Sequence, residues 1–138
     1  SDDARSFLES GLERFAARDL AGYTQVVMAR QALMRDWGRW LVDVDVFVTP
    51  TWTQLPFAHG FDIESSDNSL ATLELMRCVL PGNLLGIPSA CVNAGIVDGL
   101  PVGVLVNAGR YRDDVALDAA EIIESELAVV TPITPAFS

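Results

Sequence analysis

Apolar positions along this chain follow two periods in turn. Phe7, Leu8, Leu12 and Phe15 recur at three- and four-residue spacing, which predicts a helix over 3–18. Arg14 and Arg18 fall in its last turns, where cations complement the helix dipole. Asp19 is suited to cap a second, longer helix at about 20–41. Its apolar face collects Tyr23, Val26, Val27, Leu33, Met34, Trp37 and Leu41, while Arg30, Arg35 and Arg39 ride mostly on the opposite, solvated side. The period then changes. Val44, Val46 and Val48 alternate with Phe47, so residues 44–49 are apolar on both faces. That pattern predicts a strand buried on both sides, central in an α/β layer, with Pro50 ending it.

Residues 50–66 read as a long loop with two prolines and three aromatic residues, and long loops in compact domains tend to be functional. Asp67 or Ser69 can cap a helix at about 68–80, with Leu70, Leu73, Met76 and Leu80 on one face and Pro81-Gly82 breaking it. Asn83 to Pro88 is a short connection. Ser89–Ala94 and Val102–Asn107 read as strands joined through Val97-Asp98-Gly99-Leu100-Pro101, where Asp-Gly signals a hairpin. Gly95 and Gly103 on those strands suggest bulges or close backbone approach. Asp113 and Asp114 open a helix at about 114–127 with Val115, Ala119, Ile122 and Ile123 inward, and 128–138 reads as an extended tail. The whole is expected to be one α/β domain over 1–138: a mixed sheet with a β-hairpin, packed by helices.

The 138 residues are 50% hydrophobic and 20% charged, a globular composition. Nine basic residues, all arginine, stand against 19 acidic ones, for a net charge of −10. Such a chain repels phosphate backbones, so nucleic acid is not an expected partner. The absence of lysine removes a Schiff base, a Walker-A loop and any lysine general base from this chain. No apolar run approaches the roughly 18–20 residues of a membrane helix, and the charged start SDDARSFLESGLERF is no signal peptide. Cys78 and Cys91 sit in apolar runs and read as reduced core thiols; the expected setting is cytoplasmic. The chain opens at Ser1 without Met, as a piece of a longer polypeptide would.

The sole histidine, His59, lies in the aromatic loop and reads as a surface or pocket-lining residue. No spacing of His, Cys or acids suits a metal, and no cofactor is implied. Gly95, Gly99 and Gly103 fall on a hairpin, not on a strand-to-helix turn, which rejects a dinucleotide loop. The pairs Asp113/Asp114 and Glu121/Glu124 read as helix capping and solvated faces, not as a carboxylate pair for glycoside chemistry. Ser65-Ser66 has no lysine, histidine or Gly-rich turn nearby in sequence and reads as a helix entry.

Several segments in order are specific enough to carry a resemblance. The helix YTQVVMARQALMRDWGRWL runs into DVFVTPT (Asp45–Thr51). NLLGIPSACVNAG (Asn83–Gly95) and DGLPVGVLVNAGRYRDD (Asp98–Asp114) follow, then a closing helix with Leu117 and Glu121. Over about 20–127 this resembles the C-terminal third of amidase signature enzymes, with their Asn-x-x-Gly-x-Pro strand entry and Asp-Gly-Leu-Pro-Val-Gly hairpin. The resemblance implies amide hydrolysis by a Ser–cis-Ser–Lys triad in the complete enzyme. The triad belongs to an earlier, Gly/Ser-rich stretch, so no catalytic residue is carried over to this chain.

What the resemblance leaves here is a supporting role: core strands and walls of the substrate pocket. Trp52, Phe57 and His59, on the loop directly after the first strand, are the candidate wall residues. The implied partners are the missing N-terminal amidase portion and a small-molecule amide in the complete enzyme; separately, the unpaired edges and apolar faces of strands 44–49 and 89–107 in the chain alone predict association with a second copy. The alternative function is a non-enzymatic binding or assembly module derived from the same fold.

Overall fold

The computed structural model describes residues 1–15 and 19–127, apart from the side chains of Ser10, Glu13, Arg14 and Phe15. The expected dipole contacts of Arg14 and Arg18 and the extended tail at 128–138 therefore lie outside the described residues. Helix α1 spans Asp2–Phe15 and α2 spans Leu20–Trp40. Asp19 caps α2 as its sequence position suggests: the carboxylate accepts from the Gly22 backbone N–H at 2.7 Å. Strand β1 covers Val46–Pro50, and the short α3 (Phe61–Glu64), α4 (Ser66–Leu75) and α5 (Leu80–Leu85) follow. Strands β2 (Ser89–Val97) and β3 (Leu100–Ala108) form the hairpin, and α6 covers Asp113–Glu126.

The three strands form one antiparallel sheet in the order β1-β3-β2. Strand β3 is therefore central, and β1 lies at an edge, contrary to the expectation for residues 44–49. A run apolar on both faces shows that both faces are able to be buried; among the described residues β1 meets one neighbouring strand, and Val48 stays 52% exposed. The hairpin turns at Asp98-Gly99, whose φ values of 50° and 78° are the left-handed geometry of a tight two-residue turn. A bulge falls between Asn93 and Gly95, as the glycine suggested. Gly95 adopts φ 139°, and its N–H donates to the Asn93 side chain at 2.9 Å.

The core gathers on β3 and α6. Leu105, Val106, Asn107 and Ala108 are buried, and the face of α6 that meets β2 and β3 buries Ala116 and Ala120. Ile122, expected inward, is 65% exposed: at about 100° per residue it lies well away from the stripe of Ala116 and Ala120 that meets the sheet. Asn107 ties the sheet together. Its Nδ2 donates to Phe47 O, Thr49 Oγ1 and Leu105 O at 3.2–3.3 Å, and its Oδ1 accepts from Ser89 Oγ at 2.6 Å. A buried amide so supplied carries no desolvation penalty for unmade bonds.

Two further boundaries differ from the sequence pattern. The cap of α4 is Ser65, whose Oγ accepts from Asn68 N at 3.1 Å, rather than Asp67 or Ser69. Ser69 instead turns inward and donates to Asp62 O at 2.6 Å, joining α3 to α4. Helix α4 also ends at Leu75, before Pro81, which sits in the first turn of α5, where its missing N–H is no loss. What read as a plain connection at 83–88 is the end of α5, closed by Gly86 at φ 66°.

Candidate functional site

The aromatic loop is held at several points. Thr51 N donates to Gly103 O at 3.0 Å, which prolongs the β1–β3 pairing past Pro50. Thr53 then donates to Leu75 O through both its N–H, at 3.4 Å, and its hydroxyl, at 3.2 Å. Between these anchors and α3 the chain arches over the end of the hairpin. It encloses a cavity of about 450 Å³ lined by Thr51, Trp52, Gln54, Pro56 and Phe57 from the loop, and by Cys91, Pro101, Val102 and Gly103 from the hairpin.

The cavity is apolar and aromatic. Trp52 and Phe57 stand with ring centroids 6.1 Å apart and planes tilted 46°, and Phe57 is backed by Phe61 at 5.2 Å. Thr51 Oγ1 lies 3.3 Å from Cys91 Sγ on the opposite wall. Gly103 forms the floor: a Cβ there would come within 3.1 Å of Thr51 Oγ1 and 3.3 Å of Cys91 Sγ.

Of the three expected wall residues, the structure brings Trp52 and Phe57 together in one cavity. His59 is exposed and stands outside its lining. Cys91 is exposed on this wall rather than in the core, and Cys78 is half-buried, so neither is the core thiol its apolar surroundings suggested. The period of β2 explains Cys91: in an alternating strand Cys91 points to the face opposite Ala90 and Val92. Two further residues, Gly103 as a floor and Asn107 as the buried tie, are not marked out for these roles by the sequence pattern. The signals it offers are a glycine at mid-strand and an asparagine ending an otherwise apolar run.

The cavity is half open to its surroundings and mainly apolar in its lining. Cys91 is the one titratable side chain in its lining, with no base beside it, so the lining presents no acid–base pair. Ser65 is occupied as the α4 cap, as a helix entry should be. Among the described residues no group of three or more His, Cys, Asp or Glu side chains is placed to hold a metal, and no helix is long and apolar enough to cross a membrane.

An edge strand, a glycine-floored hairpin and a loop arching between them define a pocket-forming α/β unit, and known proteins show which one. The amidase family model matches residues 5–117, and the chain belongs to that family. Indoleacetamide hydrolase from Bradyrhizobium japonicum is 34% identical over 113 residues, which cover 81% of this chain and 24% of that protein. A glutamyl-tRNA(Gln) amidotransferase subunit from Halobacterium salinarum is 33% identical over 102 residues, 74% of this chain and 23% of that protein. The crystal structure of the corresponding Thermotoga maritima protein superposes with a TM-score of 0.69 at 27% identity, over 77% of this chain and 23% of that one. The chain thus spans less than a quarter of the length of these relatives.

Proposed function

We propose that this chain is the C-terminal portion of an amide-hydrolysing enzyme, supplying core strands and one wall of the substrate pocket while the preceding polypeptide supplies the chemistry. The observation that carries this reading is the pairing of family membership over residues 5–117 with an aromatic cavity at the end of β1. In the joined enzyme a seryl nucleophile attacks the amide carbonyl, backbone N–H groups hold the oxyanion, and ammonia or an amine leaves. Trp52 and Phe57 contribute binding common to the ground and transition states, and His59 stands further out on the same loop.

The chain alone is then catalytically silent, since it has no lysine and, among the described residues, no nucleophile paired with His59. Ammonia release from a panel of aliphatic and aryl amides should match the buffer blank with the chain alone. It should rise above the blank once the chain is joined to a lysine-containing, Gly/Ser-rich amidase segment. Turnover by the repurified chain alone, in proportion to its concentration, would refute the division of labour. Ligand binding with no turnover in the joined form would favour a binding module instead. In an active joined enzyme, Trp52→Ala should raise KM with kcat little changed, and His59→Ala should do less. A large kcat loss at unchanged KM for His59→Ala would make that residue a participant in the chemistry.

A further inference from the structure

Strand β3 leaves the sheet through Gly109-Arg110-Tyr111-Arg112, which close a turn: Arg112 N donates to Gly109 O at 3.0 Å. Tyr111 takes the left-handed position at φ 64°, a conformation that a large side chain adopts at a cost. The turn sets Tyr111 outward, 86% exposed, and leaves the arginine on either side of it lining one cavity of about 240 Å³. This cavity lies at the opposite end of β3 from the aromatic one. The step from Gly103 to Gly109 is about 20 Å at roughly 3.3 Å per residue.

Its other walls are apolar and fixed. Met34, Trp37 and Leu41 come from α2, and Leu85 and Ile87 from the end of α5 and just beyond it. Leu41 and Leu85 are buried, and Trp37 is braced by Trp40 and Phe47.

Two arginines and no acid line this cavity, in a chain of net charge −10. Arg110 spends one donor on the Tyr111 hydroxyl, Nη2 to Oη at 3.2 Å, and its Cζ lies 5.1 Å from the ring centroid. Among the described residues no carboxylate stands at ion-pair distance from it. Arg112 Nη1 is 3.7 Å from Asp45 Oδ1, a long and exposed pair that holds it weakly. Asp36 is taken by Arg39 at 3.2 Å, and Asp113 and Asp114, which open α6, are outside the lining. Each guanidinium has five N–H donors in a fork that fits a carboxylate. An inorganic anion would use the arginines and leave the apolar wall wet; a neutral hydrocarbon would do the reverse. The volume equals about eight water volumes, at roughly 30 Å³ each, enough for a six-carbon acid.

We propose that this cavity binds a small organic acid as its anion, with the carboxylate at Arg110 and Arg112 and a short aliphatic body against Trp37, Leu41 and Leu85. Such a site is separate from the substrate pocket proposed above, and it is read by binding, whether or not the joined enzyme hydrolyses an amide. The probe is hexanoate. The chain, alone and joined to the preceding amidase segment, is labelled with 5-fluorotryptophan, and the Trp37 resonance is assigned by its loss in Trp37→Phe. Hexanoate should shift it saturably in both forms and leave Trp52 in place. Hexanamide keeps the body and loses the charge, and acetate keeps the charge and loses the body. Each should bind about tenfold or more weakly. Arg110→Gln and Arg112→Gln, both at exposed positions, should each weaken hexanoate about tenfold and leave hexanamide unchanged. Gly38→Leu should abolish the shift. Gly38 is an exposed helix residue in the lining, with open space where a Cβ would stand, so leucine favours the helix while filling the cavity.

Hexanamide bound as tightly as hexanoate, orthophosphate bound more tightly, or a hexanoate shift that survives both glutamine variants would each overturn the assignment. So would the absence of a saturable Trp37 shift, or its loss on joining the amidase segment, which would make the cavity a seat for that segment.

Discussion

The hairpin with α6 and the pair of N-terminal helices are both amphipathic, yet they meet opposite fates. In the first region nearly every inward position finds a partner: Val106 is 0% exposed, and Asn107 has its donors and acceptors matched across all three strands. In the second, α2 carries the apolar face its sequence predicts and buries none of its residues. Val26 is 60% exposed, Tyr23, Met28 and Leu33 are open as well, and α1 and α4 leave an apolar cleft of about 290 Å³ between them. Two points anchor α2: at mid-helix Arg30, expected on the solvated side, donates from Nε to Leu84 O of α5 at 2.6 Å, and at its end Trp37, Trp40 and Phe47 cluster with centroids 5.4–5.5 Å apart beside Leu41. An amphipathic pattern therefore reports that a face is built for burial, not that its cover lies in the same chain. The contrast fits relatives that are more than three times as long as this chain.

That contrast is open to attack at several scales. The largest expected effect is on mass. The outer edges of β1 and β2 have no strand beside them among the described residues, and large apolar side chains left in water each forgo roughly 1.5–3 kcal/mol. The net charge of −10 opposes association but is screened beyond about 8 Å at physiological salt. Light scattering behind a sizing column should show a two-fold dimer at micromolar concentration. A monodisperse 14.9 kDa monomer would mean that the open region covers itself.

Next in size is Asn107→Ala in the closed region. It strands Ser89 and Thr49 and should cost about 2–3 kcal/mol in urea unfolding. A loss under half of that would mean the tie between strands is not what closes the sheet. Ser65→Ala removes the α4 cap and should cost about 1 kcal/mol. Smallest of all, Val26→Ser on α2 should change the stability of the isolated chain by no more than about 0.5 kcal/mol, as at any solvated position. A loss comparable to Asn107→Ala would erase the distinction between the two regions.

Much of this fold was legible in residue patterns, because local chemistry decides it. The Asp19 cap, the Asp98-Gly99 turn, the bulge at Gly95 and the acidic start of α6 all follow from neighbours within a few residues. What depended on distant partners was not legible. The edge position of β1 depends on which strands accompany it, and the outward turn of Ile122 depends on which stripe of α6 the sheet covers, that of Ala116 and Ala120. The choice of Ser65 over Asp67 as a cap was set by where α3 ends, and α3 itself was hidden in a loop of mixed composition. At the site, the aromatic residues announced themselves, whereas Cys91 and Gly103 joined them only through strand register.

Hydrogen exchange along the backbone tests the division into a closed and an open region most directly, measured on the chain alone and then joined to the preceding amidase segment. The expected result is strong protection of 104–108 and 116–123 in both samples, with residues 22–36 exchanging fast alone and slowly once joined. Protection of 22–36 equal to that of β3 in the isolated monomer, or no gain on joining, would contradict it.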